Sequence, residues 1–177
     1  LSLKNICSDM EQGMYNFQIT ERTLFALPPH HTFGSTVNFV GHFAQGCEIY
    51  ISSGIRYILD ELKTFKPTHL ILVPLFVETF YKRILKGINE QGKFKAGLVK
   101  TLMKINKFFR GFGLNPFGGF FKKAILSKFG GELNMIISGG APLNQEMADL
   151  FDSIGVTVLN GYGITECAPI IAVNHNN

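Results

Sequence analysis

The sequence has 177 residues, of which 46% are hydrophobic and 17% charged, with a formal net charge of +4. These values describe a globular chain able to bury one core and exclude an intrinsically disordered tail. No apolar run approaches the roughly 20 residues a membrane-spanning helix needs, and no apolar stretch follows Lys4 as a signal peptide would require.

A helix is expected directly after Leu1-Ser2-Leu3. Thr23-Leu24-Phe25-Ala26-Leu27 is a short apolar run stopped by Pro28-Pro29, which predicts a buried strand. Residues 35–45 have helical length and end at Gly46, and Glu48-Ile49-Tyr50-Ile51 predicts a second strand. Over 57–65, Ile58, Leu59, Leu62 and Phe65 share one helical face, and Pro67 closes that helix. His69-Leu70-Ile71-Leu72-Val73 predicts a third strand, stopped at Pro74, and a helix follows over 76–88. Two more helices are expected around the turn Gly111-Phe112-Gly113. A fourth strand over 133–137, a helix over 145–154 and a fifth strand over 156–159 complete the pattern. Near-continuous apolar strands alternating with helices predict an α/β fold: a mostly parallel sheet flanked by helices on both faces. Ligands of such sheets bind beyond the carboxyl ends of the strands.

The segments at those carboxyl ends are therefore informative. After the first strand comes Leu27-Pro28-Pro29-His30-His31-Thr32-Phe33-Gly34, after the fourth Ser138-Gly139-Gly140-Ala141-Pro142-Leu143, and after the fifth Asn160-Gly161-Tyr162-Gly163-Ile164-Thr165-Glu166. Gly139 and Gly140 let backbone approach a flat ligand or a phosphate, and Pro142 suits the start of the next helix. Gly161 and Gly163 would leave the Tyr162 ring free as a stacking surface in a loop. Glu166 offers a carboxylate to a hard cation such as Mg²⁺, and His31 a hydrogen bond to a developing oxyanion. Each segment alone also reads as an ordinary turn; their order, each after a strand, points to a site.

Charge is uneven. Residues 82–128 hold twelve of the seventeen basic residues and one acid, Glu90, interleaved with Phe94, Phe108, Phe109, Phe112, Phe117, Phe120 and Phe121. The stretch reads as a helical insertion in a single α/β subdomain over 1–177, its phenylalanines in the core and its lysines solvated. A membrane surface or an acidic ligand is the alternative use of such a segment. Nucleic acid is not expected, because no reading motif is present. Cys7, Cys47 and Cys167 are scattered and odd in number, favouring reduced thiols and a cytoplasmic setting. No pair of histidines falls at a metal-ligand spacing.

Asn160-Gly161-Tyr162-Gly163-Ile164-Thr165-Glu166 resembles the (Q/N)GYGxTE motif of adenylate-forming enzymes: acyl-CoA synthetases, luciferases and adenylation domains. Ser138-Gly139-Gly140-Ala141-Pro142-Leu143 resembles the loop preceding it, and the segment over 27–34 is similar to an upstream LPLHHxFG segment, with Pro29 where a bulkier apolar residue is frequent. Lys66-Pro67-Thr68-His69 through Val73-Pro74 fits a stretch between them. The resemblance covers nearly the whole chain and implies one subdomain of the large N-terminal domain of an AMP-forming acyl-CoA ligase. It implies ATP, Mg²⁺ and coenzyme A as the small molecules involved. By matching positions, Tyr162 would stack on adenine, while Gly139, Gly140, Ala141, Pro142, Gly161 and Gly163 would line the nucleotide pocket and Asn160 help hold it. Thr165 would contact the α-phosphate and Glu166 would bind Mg²⁺. His31 would stabilise the acyl carboxylate and the transition state, with Phe33 near the acyl group.

The elongated basic segment resembles long-chain members, so a long-chain fatty acid is the expected substrate and peripheral membrane contact an accompanying expectation. Both ends of the sequence read as cut. The triphosphate loop would lie upstream, and the ribose-gripping aspartate and a small C-terminal domain with its lysine downstream, as remaining parts of the same polypeptide. The chain alone is then expected to form no acyl-adenylate. Two alternatives stand beside this one: an adenylating enzyme that passes the acyl group to a carrier protein or an amine, and a non-catalytic nucleotide-binding α/β module.

Overall fold

The computed structural model describes residues 1–15 and 21–174. Six strands, β1 (Arg22–Phe25), β2 (Glu48–Ile51), β3 (His69–Leu72), β4 (Met135–Gly139), β5 (Thr157–Gly163) and β6 (Ile170–Val173), form one sheet in the order β2-β1-β3-β4-β5-β6. The first five run parallel and β6 is antiparallel to β5. The expected α/β class and its parallel sheet are present, and the sheet is one strand wider than the five predicted.

Alternation along the strands sorts their side chains onto two faces. Leu24, Leu70, Leu72 and Ile136 face a large apolar cluster. Its other side is built by α3 (Ile58–Phe65), α4 (Pro74–Asn89), α5 (Lys93–Arg110), α6 (Gly118–Ala124) and α7 (Gln145–Ser153), with a 3-10 turn over Leu126–Phe129. Phe25, Ile71, Met135, Ile137 and Leu159 face a smaller cluster closed by Met10 of α1 (Leu3–Tyr15) and Val37 of a π-helix (Phe33–Gly41), which runs on into α2 (His42–Ala44). All four residues of β3 are buried, which its unbroken apolar run predicts for a central strand. Each of its leucines and its isoleucine contributes about 1.5–3 kcal/mol by leaving water.

The basic segment departs from expectation. Of its seven phenylalanines only Phe121 is buried and Phe117 half-buried, while Phe94, Phe108, Phe109, Phe112 and Phe120 are exposed. The inner face of α5 is instead built from Ala96, Val99, Met103 and Asn106. Two of its cations are paired internally, Lys107 with Asp149 at 2.6 Å and Arg110 with Asp152 at 2.8 Å, so α5 is clamped along α7.

Asn106 closes that clamp. Fully buried, it donates to the Ser153 carbonyl at 3.1 Å and to Asn115 Oδ1 at 2.9 Å, and its own oxygen accepts from the Phe117 amide at 3.1 Å. Asn106→Ala would leave the Phe117 amide and the Ser153 carbonyl unpaired in the interior. A destabilisation of about 2–3 kcal/mol is expected in urea unfolding, without change in fold.

Candidate active site

Three segments meet at the carboxyl ends of the central strands around a cavity of about 370 Å³. From the β1 side come His31, Thr32, Phe33 and Val37; from β4, Ile137, Gly139 and Gly140; from β5 onward, residues 161–166 together with Pro169, Ile170 and Val173. The β4–β5 register sets the floor, with Ser138 beside Asn160 and Gly139 beside Gly161.

The loop after β1 is fixed by its own backbone. The His31 amide donates to the Pro28 carbonyl at 3.1 Å, and the His31 carbonyl accepts from the Ser35 amide at 2.9 Å and hydroxyl at 3.1 Å. The His31 ring accepts the Phe33 amide on Nδ1 at 3.3 Å. A neutral imidazole that accepts at Nδ1 carries its proton on Nε2, so the free nitrogen is a donor. Phe33 then lies across β4: a Cβ on Gly139 would stand 2.8 Å from the Phe33 ring. Glycine at 139 is what allows the ring to lie against the strand. The two sides of the cavity touch at Thr32 and Thr165, whose hydroxyls are 3.4 Å apart.

The Gly-Tyr-Gly segment is not a loop. Asn160-Gly161-Tyr162-Gly163 continues β5 and pairs with β6, Gly161 opposite Val173 and Tyr162 opposite Ala172. A side chain at 163 would strike the Pro169 carbonyl, so the chain can fold back here only at glycine. Tyr162 therefore stands on a hairpin and is 65% exposed, with its ring free. The hairpin is supported from below, where Asp9 of α1 accepts the Ile170 amide at 3.1 Å. Burial raises the Asp9 carboxyl above its usual range.

Pro142 does not open α7. The helix is capped by Asn144, whose side chain accepts from the Glu146 amide at 2.8 Å, as an asparagine cap does. Ala141, Pro142 and Asn160 lie outside the cavity wall; Asn160 is exposed and its carbonyl accepts the Asn174 amide at 3.2 Å. Of the other expected residues, His31, Phe33, Gly139, Gly140, Gly161, Tyr162, Gly163, Thr165 and Glu166 all line it. Sequence reading passed over Thr32, inside a segment it had already selected, and β6, whose Ile-Ile-Ala-Val run was a legible strand.

A second feature lies behind the wall. His42 and His69 are fully buried and stacked, with ring centroids 4.8 Å apart and Nε2 atoms 2.6 Å apart. His42 Nδ1 lies 2.8 Å from the Val37 carbonyl, so Nδ1 carries the hydrogen, His42 Nε2 accepts, and His69 Nε2–H donates. Burial lowers His42 to about 4 and, together with the neighbouring ring, His69 to about 3. Both are neutral at pH 7. The couple ties a wall residue of the cavity to the central strand.

The sequence profile of one family, described as AMP-binding enzyme, matches residues 1–177. The chain belongs to that family. Among its relatives, the Arabidopsis thaliana long-chain-fatty-acid–[acyl-carrier-protein] ligase AEE15, chloroplastic, is 27% identical, over 87% of this chain and 26% of the relative. Long chain acyl-CoA synthetase 1 of Arabidopsis thaliana is 29% identical, over 70% of this chain and 20% of the relative. The o-succinylbenzoate coenzyme A synthetase of Bacillus subtilis, solved with ATP and magnesium ion, superposes with a TM-score of 0.63 at 16% identity, over 98% of this chain and 28% of that one. This last likeness is one of fold. The AMP-binding chain thus spans about a quarter of the length of the proteins it matches. Among its described residues no helix is long and apolar enough to cross a membrane.

Proposed function

We propose that this AMP-binding chain is the central part of an ATP-dependent ligase that activates a long-chain fatty acid as acyl-AMP and passes it to coenzyme A. The observation that carries this reading is the meeting of His31, Tyr162, Thr165 and Glu166 on one cavity at the strand ends. In the first step a carboxylate oxygen of the fatty acid attacks the α-phosphorus of ATP, and pyrophosphate leaves. In the second the coenzyme A thiol attacks the acyl carbon, and AMP leaves. The first step requires no covalent help from the protein, only alignment and neutralisation of charge.

The residues divide that work. The free ring of Tyr162 offers a stacking face to adenine. Thr165, with Thr32 beside it, offers hydroxyl donors to the α-phosphate. The Nε2–H of His31 meets the oxygen on which charge develops, and Phe33 covers the acyl side. The Glu166 carboxylate lines the same cavity as the Thr32 and Thr165 hydroxyls, and oxygen donors of this kind suit Mg²⁺ when phosphates supply its remaining ligands. That ion would neutralise the phosphates as pyrophosphate departs.

The second reading differs only in the acceptor. AEE15 carries an acyl-carrier-protein ligase name, and its identity to this chain, 27%, is close to the 29% of long chain acyl-CoA synthetase 1. One experiment addresses both. The full-length protein is expected to show fatty-acid-dependent ATP–pyrophosphate exchange, and then thioester formation on coenzyme A rather than on a phosphopantetheinylated carrier protein. The 177-residue chain alone is expected to show no exchange. Tyr162→Ala should weaken ATP binding about 10- to 100-fold through lost stacking. Absence of exchange with any fatty acid in the full-length protein would remove the reading, and turnover on carrier protein alone would replace the acceptor.

A further inference from the structure

The outer face of α5 is built for a partner that the core does not supply. Phe94, Leu98, Ile105 and Phe108 recur at helical spacing and are all exposed, Phe94 by 87% and Phe108 by 65%. At about 100° per residue they form a single stripe opposite the buried Ala96, Val99 and Met103. Phe112, in the turn after the helix, is 70% exposed and extends the stripe, its ring 5.3 Å from that of Phe108. Scattered exposed apolar residues need no explanation, but four in register on one helix, with a fifth in the turn that follows, do.

The same angular spacing places Lys93 and Lys104 along one flank of the stripe and Lys95 along the other. The helix carries no Asp or Glu. Lys107 and Arg110 take Asp149 and Asp152 as partners, so the flanking lysines are not neutralised by that pair of acids. An apolar stripe bordered by cations, on a helix whose opposite face is anchored in the core, has the geometry of an interfacial helix lying in the plane of a lipid surface. A second copy of the chain fits poorly, because a two-fold contact through this face would bring two acid-free, lysine-bordered helices together.

We propose that α5 is a membrane-docking face, with Phe94, Leu98, Ile105, Phe108 and Phe112 entering the headgroup boundary and Lys93, Lys95 and Lys104 held by anionic lipid headgroups. This surface stands apart from the cavity residues and does not depend on the reaction proposed above. Not every lysine of the basic segment takes part. Lys122, within the basic segment, is bound to Glu132 at 2.6 Å and is not one of the lipid contacts.

The test is sedimentation of the full chain with vesicles of phosphatidylcholine alone and with a third phosphatidylglycerol. Binding is expected to the anionic vesicles. It should fall about tenfold or more both for Phe94→Ser with Phe108→Ser and for Lys93→Glu with Lys104→Glu. Phe120→Ser, an exposed phenylalanine on another helix, should leave it unchanged. All the altered residues are exposed, and circular dichroism checks the fold; should a double variant unfold, Leu98→Gln provides the same readout. Equal binding to neutral vesicles, no binding at all, or binding indifferent to the phenylalanines would overturn the proposal. So would conversion of a native dimer to monomers by Phe94→Ser with Phe108→Ser while lipid binding persists. The readout is lipid partition, so its failure is distinguishable from a failure to turn over ATP.

Discussion

His31→Ala in the full-length protein is expected to lower kcat/KM for fatty-acid adenylation about 10²- to 10³-fold, the effect of losing one preorganised donor to a developing oxyanion. The expectation rests on a specific tautomer. The Phe33 amide occupies Nδ1, so the proton of the neutral ring is on Nε2. The loop that carries the ring is held by the Pro28 carbonyl and by Ser35, all through the His31 backbone. Alanine keeps those bonds, so the loss reports on the imidazole and not on a collapsed loop. His31→Gln presents an amide N–H near the Nε2 position and should recover part of the rate, whereas the shorter His31→Asn mimics only the Nδ1 end and should not. ATP KM should change little in all three. The measurement is fatty-acid-dependent pyrophosphate release. A His31→Ala enzyme within about threefold of the parent rate would remove His31 from the chemistry, since a donor to the transition state contributes more than that.

The place of His31 on the cavity could be read from sequence because the information was local. A short strand followed at once by prolines, histidines and glycine places polar groups at a sheet edge, whatever the rest of the chain does. The strands β1 to β4 were legible for the same reason, each being an apolar run with a proline or polar stop. The failures have other causes. Gly161-Tyr162-Gly163 read as a loop because glycine is poor in strands, yet β6 returns against it, and the close approach to Pro169 demands glycine there. A strand partner ten residues further on overrode the local preference.

The phenylalanines of α5 were misplaced for a related reason. Periodicity reveals that a helix has an apolar face, but α5 has two, and only the neighbours decide which is inside. Asn106 marks the inner face, since it supplies three hydrogen bonds that no solvent-facing asparagine would need. A polar residue thus identified the buried side and large aromatics the exposed one, the reverse of the usual inference. His42 and His69 were invisible for a third reason. They are 27 positions apart, no ligand spacing links them, and only the folding of α2 back onto β3 brings them together.

The buried histidine couple leads to the second large expected effect, a loss of stability on mild acidification. An unfolded chain protonates histidine near 6.5, whereas the folded couple resists protonation down to about 4 at His42 and about 3 at His69. Below 6.5 the unfolded state therefore binds more protons, so stability falls as pH falls. The couple's contribution is complete above 6.5 and is lost progressively as pH drops toward about 4. Each histidine contributes a slope of about 1.4 kcal/mol per pH unit once its unfolded form is fully charged. Asp149 and Glu132, held low by Lys107 and Lys122, lose their contributions only below the ordinary carboxylate range. Asp9, raised by burial, acts in the opposite sense, so the fall in stability between pH 6.5 and 5 belongs to the histidines. Urea unfolding of the full chain across that interval is expected to show a steep fall, and His42→Gln with His69→Gln should flatten that fall while leaving a folded protein at pH 7. An unchanged slope in the double variant would mean that the pair is not the neutral couple described. The physical reason reaches the site. A proton on His42 Nε2 would face the hydrogen already carried by His69 Nε2, and the bond that holds the Val37 turn of the π-helix to β3 would be replaced by repulsion. Acid should therefore loosen the cavity wall at Val37 before it unfolds the sheet.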